Sequence, residues 1–222
     1  MHVLLTGATG LVGQGVLNSC LAAQDVTAVT LLSRRPTRST EGRVAEIVLE
    51  DFTQAGALQA QLAGMDAVFY CAGAPPVGTA EDEYRRVTLT LTLAVARAFA
   101  AANPHGRFIY VSGAKSDPES SMMALRIKGQ TERALEQLPI PTVMMRPGGI
   151  LPEDGTASPH GLLRTLHTLT RPLKGALVKG LPAMATTNAL LGRAMLAVAR
   201  MQYPPRVVEN REINALGGEQ DA

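Results

Sequence analysis

Short apolar runs alternate with longer amphipathic stretches from the start of the chain to Pro147. Val3–Leu5, Ala28–Leu32, Ala45–Leu49, Ala67–Tyr70, Phe108–Val111 and Thr142–Met145 are each bounded by Gly, Asp, Pro or Ser. Such runs predict strands buried on both faces. Between them Leu11–Ala23, Gln54–Leu62, Glu81–Ala102 and Ser121–Leu138 carry apolar residues at helical spacing. Strand-helix-strand order demands right-handed crossovers with helices on both faces, so the prediction is an α/β, doubly wound parallel sheet.

After Pro147 the pattern changes. A loop (Gly148–Pro159), a helix-like stretch (Gly161–Thr170), a turn-rich segment (Pro172–Pro182) and a helix from about Thr187 to Met201 follow. We read a core over 1–147 and a small C-terminal substrate-side lobe over about 148–205. Val207–Val208 and Arg211–Leu216 are expected to finish the sheet edge and cap the chain, leaving Gly217–Ala222 as a frayed tail. A length of 222 residues with 46% hydrophobic and 18% charged positions fits a single domain over 1–222 with one continuous sheet.

Charge and cysteine content narrow the partners. The formal charge is +2 and the basic residues are scattered, which lacks the footprint of a nucleic-acid binder. Cys20 and Cys71 are too few for a disulfide framework, lack metal-ligand spacing with the histidines, and are expected to be reduced, packed thiols, with no metal site. The opening residues show no export signal. No uncharged apolar stretch reaches the roughly 18 residues of a membrane span, so a soluble, cytoplasmic protein that binds no membrane is expected.

The most informative segment runs from the first strand into the first helix and places Gly7, Gly10 and Gly13 at equal spacing on the turn. Gly7 permits a sharp turn, Gly10 permits close approach of a pyrophosphate, and Gly13 permits tight helix–strand packing. Amides around Thr9, Leu11 and Val12 then face an anion, favoured by the positive end of the helix dipole. That is the context that validates a Rossmann dinucleotide fingerprint. At the end of the second strand a site preferring NAD usually has an acidic residue; this chain has Ser33-Arg34-Arg35. A hydroxyl and two guanidinium forks suit a 2′-phosphate, so NADP(H) is the expected cofactor. Asp51-Phe52 after the third strand could read and wall the adenine, or Asp51 could cap a helix while Phe52 joins the core. Cys71-Ala72-Gly73 supplies small residues beside the ribose, or forms a plain tight turn.

Thr6–Gly13, Cys71–Gly73, Tyr110–Ser112, Arg126–Glu132 and Arg146–Gly148 together resemble the atypical short-chain dehydrogenase/reductase superfamily. More narrowly the chain resembles the Tat-interacting-protein-like NADP-binding oxidoreductases, within a wider likeness to NAD-dependent epimerase/dehydratase-like proteins. The resemblance covers most of the chain, including Arg193–Leu196 and Glu209–Asn210. It implies one extended Rossmann domain, NADP(H) at the carboxyl ends of the strands, and a Ser-Tyr-Lys catalytic set. Ser112 matches the family serine, Lys128 the lysine that holds the nicotinamide ribose, and Pro147-Gly148 the nicotinamide-side turn. The tyrosine belongs four residues before the lysine, where this chain has Ala124, and no residue from Ser120 to Ile127 is a tyrosine.

That substitution shapes the expected chemistry. A positioned general acid contributes about 10²–10⁴-fold in carbonyl reduction, and alanine has no proton to give. The leading expectation is a reductase of a small substrate, with quinone- or flavin-like acceptors fitting better than simple ketones and with Ser112 and Lys128 orienting the reacting end. The other is a non-enzymatic NADP(H)-binding sensor that engages a regulatory protein partner; an epimerase or dehydratase is disfavoured by Ala124. Tyr70, Tyr84 and Tyr110 are expected to pack or hydrogen-bond rather than catalyse. His160 and His167 are weaker proton-donor candidates. Met122-Met123 could line an apolar substrate site, while Met144-Met145 read as packing. Monomer and homodimer both fit the sequence.

Overall fold

The computed structural model describes residues 1–37, 42–153 and 182–218. The chain opens with β1 (His2–Thr6) and α1 (Leu11–Ala22), then β2 (Ala28–Ser33) and β3 (Val44–Val48). A 3₁₀ turn over Phe52–Leu58 leads into the short α2 (Gln59–Leu62) and β4 (Ala67–Tyr70). Next come α3 (Glu81–Arg85), a π-helical segment over Arg86–Thr90, and α4 (Leu91–Ala102). β5 (Arg107–Val111), α5 (Met123–Leu135) and β6 (Thr142–Arg146) complete the part that the sequence pattern outlines most clearly. The remainder is β7 (Gly149–Leu151), β8 (Ala185–Thr187), α6 (Asn188–Arg200), β9 (Val207–Glu209) and α7 (Asn210–Gly218).

Seven strands form one sheet in the order β3-β2-β1-β4-β5-β6-β9, and every pairing in it is parallel. The expected Rossmann-type architecture is therefore the observed one. Strand order runs outward in both directions from β1 and β4, so the topological switch point lies between them, where such sheets bind ligands beyond the strands' carboxyl ends. Both faces are buried. Val3, Leu5, Val29 and Leu31 point to a core shared with α1 and α6, while Leu4, Leu32, Val68 and Tyr70 point to a core shared with α4. This two-sided burial makes the strands read as continuous apolar runs.

The differences from the sequence reading have local causes. The helix expected over Glu81–Ala102 is interrupted by the π segment, where the chain takes an extra residue per turn. The helix expected to reach Leu138 ends at Leu135 because Pro139 disfavours helical backbone just before it. Arg211–Leu216 lies within a helix, α7, with Ile213 and Gly217 buried. The α6 helix, expected in the substrate-side lobe, instead packs its Leu191, Ala194, Met195 and Val198 into the main core beside α1. β7 and β8, which the pattern does not reveal, pair in parallel as a separate two-stranded unit. The helix-like stretch Gly161–Thr170, most of the segment from Pro172, and His160 and His167 lie outside the described residues. No helix among the described residues is long and apolar enough to cross a membrane.

Candidate dinucleotide-binding site

The turn from β1 to α1 is shaped by two steric constraints. Gly7 has φ +71°, and a Cβ there would stand 2.7 Å from the Ala72 nitrogen and the Cys71 carbonyl carbon. A Cβ on Gly13 would come within 2.0 Å of the Gly7 oxygen, so only glycine lets the first turn of α1 sit on the end of β1. The Gly10 amide donates to the Gly7 carbonyl at 2.9 Å, and α1 starts after Gly10 without a side-chain cap. First-turn amides have no carbonyl four residues earlier in the helix to bond. Those of Leu11, Val12 and Gly13 are thus placed for an anion at the positive end of α1. Thr6, which sequence reasoning missed, secures the other side of the turn. Its fully buried Oγ1 accepts from the Cys71 and Ala72 amides at 3.1 and 3.2 Å.

Over this turn lies a cavity of about 220 Å³ whose floor is Gly7–Gly10 and Cys71–Gly73. Leu32, Phe52, Val87 and Leu91 give it an apolar wall suited to a purine, and Val87 comes from the π segment. π-Bulges recur at functional sites because they redirect a helix face. Asp51 does not line this cavity. Its carboxylate caps the 3₁₀ turn by accepting from the Thr53 amide at 3.0 Å and faces Arg86 at 3.7 Å; these contacts, the Thr53 bond first, hold it below the usual carboxylate range. The structure thus gives Asp51 the helix-capping role and Phe52 the wall. Gly73 has no atom within 4 Å of the position its Cβ would take, so this part of the turn faces open space.

A second opening of about 600 Å³ adjoins the first and is lined by Thr9, Arg34, Arg35, Thr37 and Glu50. Arg34 lines both cavities, Arg35 only the outer one. Ser33 also lies here, but its hydroxyl is directed to the Arg35 carbonyl at 2.8 Å and to the Glu46 carboxylate at 3.0 Å. A direct bond from Ser33 to a phosphate would have to displace these, which corrects the simple expectation for that residue.

Farther along the carboxyl edge stand the residues expected at the nicotinamide end; none of them lines the two cavities. Lys128 on α5 donates to the Ser112 carbonyl at 2.6 Å. Ser112 is only 1% exposed and its hydroxyl lies 3.0 Å from that of Ser116, so its side chain faces the protein interior rather than an open site. The Ala114 amide donates to the Pro147 carbonyl at 2.8 Å, and the Gly148 amide to Asn210 at 2.7 Å. Arg146, just before that turn, makes a two-pronged bridge to Glu132 at 3.0 and 2.5 Å. Two segments that carried the family resemblance, Arg126–Glu132 and Arg146–Gly148, thus meet in space. Tyr70, Tyr84 and Tyr110 are all nearly fully buried. Burial raises all three hydroxyls above the usual tyrosine value, that of Tyr70 to about 12, so they are poor proton donors. The Cys20 and Cys71 thiols are free and likewise pushed up by burial. Met144 and Met145 are core residues, as expected, whereas Met122 is exposed.

Lys128 carries a pH signature. Desolvation lowers its ammonium from the usual 10.5 to about 8, while Glu132 opposes the shift. A lysine lowered on folding penalises the charged form: the cost is complete below about 8 and is relieved as pH rises toward 10.5. Lys128→Met should therefore be more stable relative to wild type at pH 7 than at pH 10. Urea unfolding at both pH values checks this, and an advantage that is unchanged or grows would contradict it.

A family model described as NAD(P)H-binding matches residues 7–169, from the glycine turn onward. The chain belongs to the NAD(P)H-binding family. Among its relatives, protein HTATIP2 of Rattus norvegicus is 26% identical over 222 residues, covering 99% of this chain and 90% of that protein. Protein FMP52-1, mitochondrial, of Scheffersomyces stipitis is 27% identical over 204 residues, covering 90% and 86%. A (4-alkanoyl-5-oxo-2,5-dihydrofuran-3-yl)methyl phosphate reductase of Streptomyces griseus is 32% identical over 146 residues. That match spans 65% of this chain but only 46% of the reductase. Among solved structures, MoeE5 in complex with UDP-glucuronic acid and NAD superimposes with a TM-score of 0.68 at 19% identity, covering 99% of this chain and 82% of that one. The resemblance to atypical short-chain dehydrogenases/reductases read from the motifs is borne out, and this family member binds NAD(P)H on the expected fold.

Proposed function

We propose that this NAD(P)H-binding protein is an NADP(H)-dependent reductase of the atypical short-chain dehydrogenase type, acting on acceptors that need little acid assistance. The observation that carries this reading is Arg34 standing where the cavity over the glycine turn meets the outer opening. There a guanidinium fork suits a 2′-phosphate dianion while the first-turn amides of α1 hold the diphosphate. The cofactor, when bound, supplies a hydride. The chain's own residues would hold and orient it: Lys128, anchored on the Ser112 carbonyl, would grip the nicotinamide ribose hydroxyls. The Pro147-Gly148 turn, fixed by Ala114 and Asn210, would border the nicotinamide.

Ala124, one helical turn before Lys128, offers no proton; Tyr84 and Tyr110 are buried and line neither cavity, and Tyr70, which does line the inner one, is buried with its hydroxyl pushed up to about 12. Quinone- and flavin-like acceptors are therefore favoured over simple ketones, and the match to a reductase supports reduction as the reaction class. The test is NADPH oxidation with quinone, flavin, aldehyde and ketone acceptors, run beside a Lys128→Ala control. Ketones are expected to lag quinones by at least about 10²-fold, the contribution of the missing general acid. No turnover above the control with any acceptor would end the proposal. It would favour a second reading that Ala124 also supports, an NADP(H)-binding sensor whose affinity for a protein partner changes with the nucleotide.

A further inference from the structure

The geometry points to Glu46 as a positioning residue for nucleotide choice: its carboxylate holds the Ser33–Thr37 turn so that Arg34 and Arg35 stand at the opening for the 2′-phosphate. The inference rests on the NADP(H) reading above and adds a residue to it that lies on a different strand from the arginines.

Glu46 sits on β3, paired in register with Leu31 of β2, two residues before the point where β2 ends. One of its carboxylate oxygens accepts from the Ser33 hydroxyl at 3.0 Å and from the Thr37 amide at 2.9 Å. It therefore grips the turn at both ends, with the two arginines between. The Ser33 hydroxyl also approaches the Arg35 carbonyl at 2.8 Å, which folds the same residues back on themselves. Desolvation pushes the Glu46 carboxyl up, but the hydrogen bonds from Thr37 and Ser33 outweigh it and hold the group below the usual carboxylate range, so it is ionised at neutral pH. Glu46 itself lines neither opening, whereas Arg34 and Thr37 line both; its influence passes through the turn.

The physical reason for such a brace is that long side chains on an untethered turn would have to be ordered at the moment of binding. A carboxylate behind the turn that accepts from both of its ends orders the backbone beforehand, which strengthens binding without touching the ligand. The opposite effect is equally concrete. A carboxylate behind the turn can also repel an incoming phosphate, and experiment separates the two.

Calorimetric titration of wild type, Glu46→Ala, Glu46→Leu and Glu46→Gln with NADP⁺ and with NAD⁺ is the test, with thermal unfolding measured alongside. Loss of the brace should weaken NADP⁺ binding about tenfold in the Ala and Leu variants, as expected when hydrogen bonds to a charged group are lost, and leave NAD⁺ binding unchanged. Leu preserves side-chain bulk if Ala folds poorly. Gln, whose amide oxygen still accepts from Ser33 and Thr37, should keep most of the preference. Tighter NADP⁺ binding in all three variants would overturn the inference in favour of repulsion. Equal losses for both nucleotides, or unchanged ratios, would overturn it in favour of a general structural role or none. A wild type that binds the two nucleotides alike removes the NADP(H) reading, and the role of Glu46 with it, before any variant is compared.

Discussion

Replacing Arg34 with alanine is expected to weaken NADP⁺ binding about ten- to a hundredfold while NAD⁺ binding stays within about twofold, the range for losing hydrogen bonds to a charged group. The two nucleotides differ only in the 2′-phosphate, so their affinity ratio cancels any effect of the substitution on the glycine turn or the fold. Arg34 should matter more than Arg35, because Arg34 lines both the cavity over the glycine turn and the outer opening while Arg35 lines only the latter. Arg34→Lys should recover part of the loss, since an ammonium keeps the charge but not the planar fork. Raising ionic strength should shrink the preference in wild type more than in Arg34→Ala, because the contact lies at an open surface. Calorimetry with both nucleotides at low and high salt reads all of this. An unchanged ratio in Arg34→Ala would place the selector elsewhere.

Much of this site was legible in the sequence because its logic is local. The glycine spacing, the arginines at the end of β2 and the small residues after β4 all fall within a few positions of a strand end, and the strand runs are long enough to place those ends. What was not legible depends on pairs distant in the chain. Thr6 joins β1 to the turn after β4 across 65 residues, and a single threonine before a glycine carries no signal of that. Asp51 offered two readings, and only the position of Phe52 in the cavity wall and of the Thr53 amide decided between them. The π segment that turns Val87 into the apolar wall of the cavity leaves no mark on the apolar periodicity. The Ser33 hydroxyl looked free to meet a phosphate until Glu46, from the neighbouring strand, was found on it. The apolar stripe of α6, in the stretch assigned to the substrate-side lobe, says that it packs but not against what; the answer, α1 and the sheet, is a tertiary fact.

Breaking the bridge between Glu132 and Arg146 is expected to lower stability strongly. The Glu132 side chain is 6% exposed and that of Arg146 22%, and two hydrogen bonds join them. Removing one partner of such a pair leaves the other charge poorly solvated, so Glu132→Ala should cost about 3 kcal/mol, the low end of the range for broken buried pairs. The low end is appropriate because Arg146 retains Glu209 at 3.1 Å, a partner whose side chain is 52% exposed. For a chain of this size the loss corresponds to a fall in Tm of about 6–12 °C. Replacing both partners with apolar residues, Glu132→Leu with Arg146→Met, should restore most of it, since a buried pair contributes little net stability over well-packed hydrophobic side chains. The same bridge also acts on Lys128. Glu132 supports the charged form of Lys128, so Glu132→Gln should let the lysine fall below its value of about 8. The unfolding signature of Lys128 would then move to lower pH. A Glu132→Ala protein that melts with wild type would show that Arg146 is held by Glu209 and solvent alone. A Lys128 transition that stays in place in Glu132→Gln would show that the two charges do not sense each other.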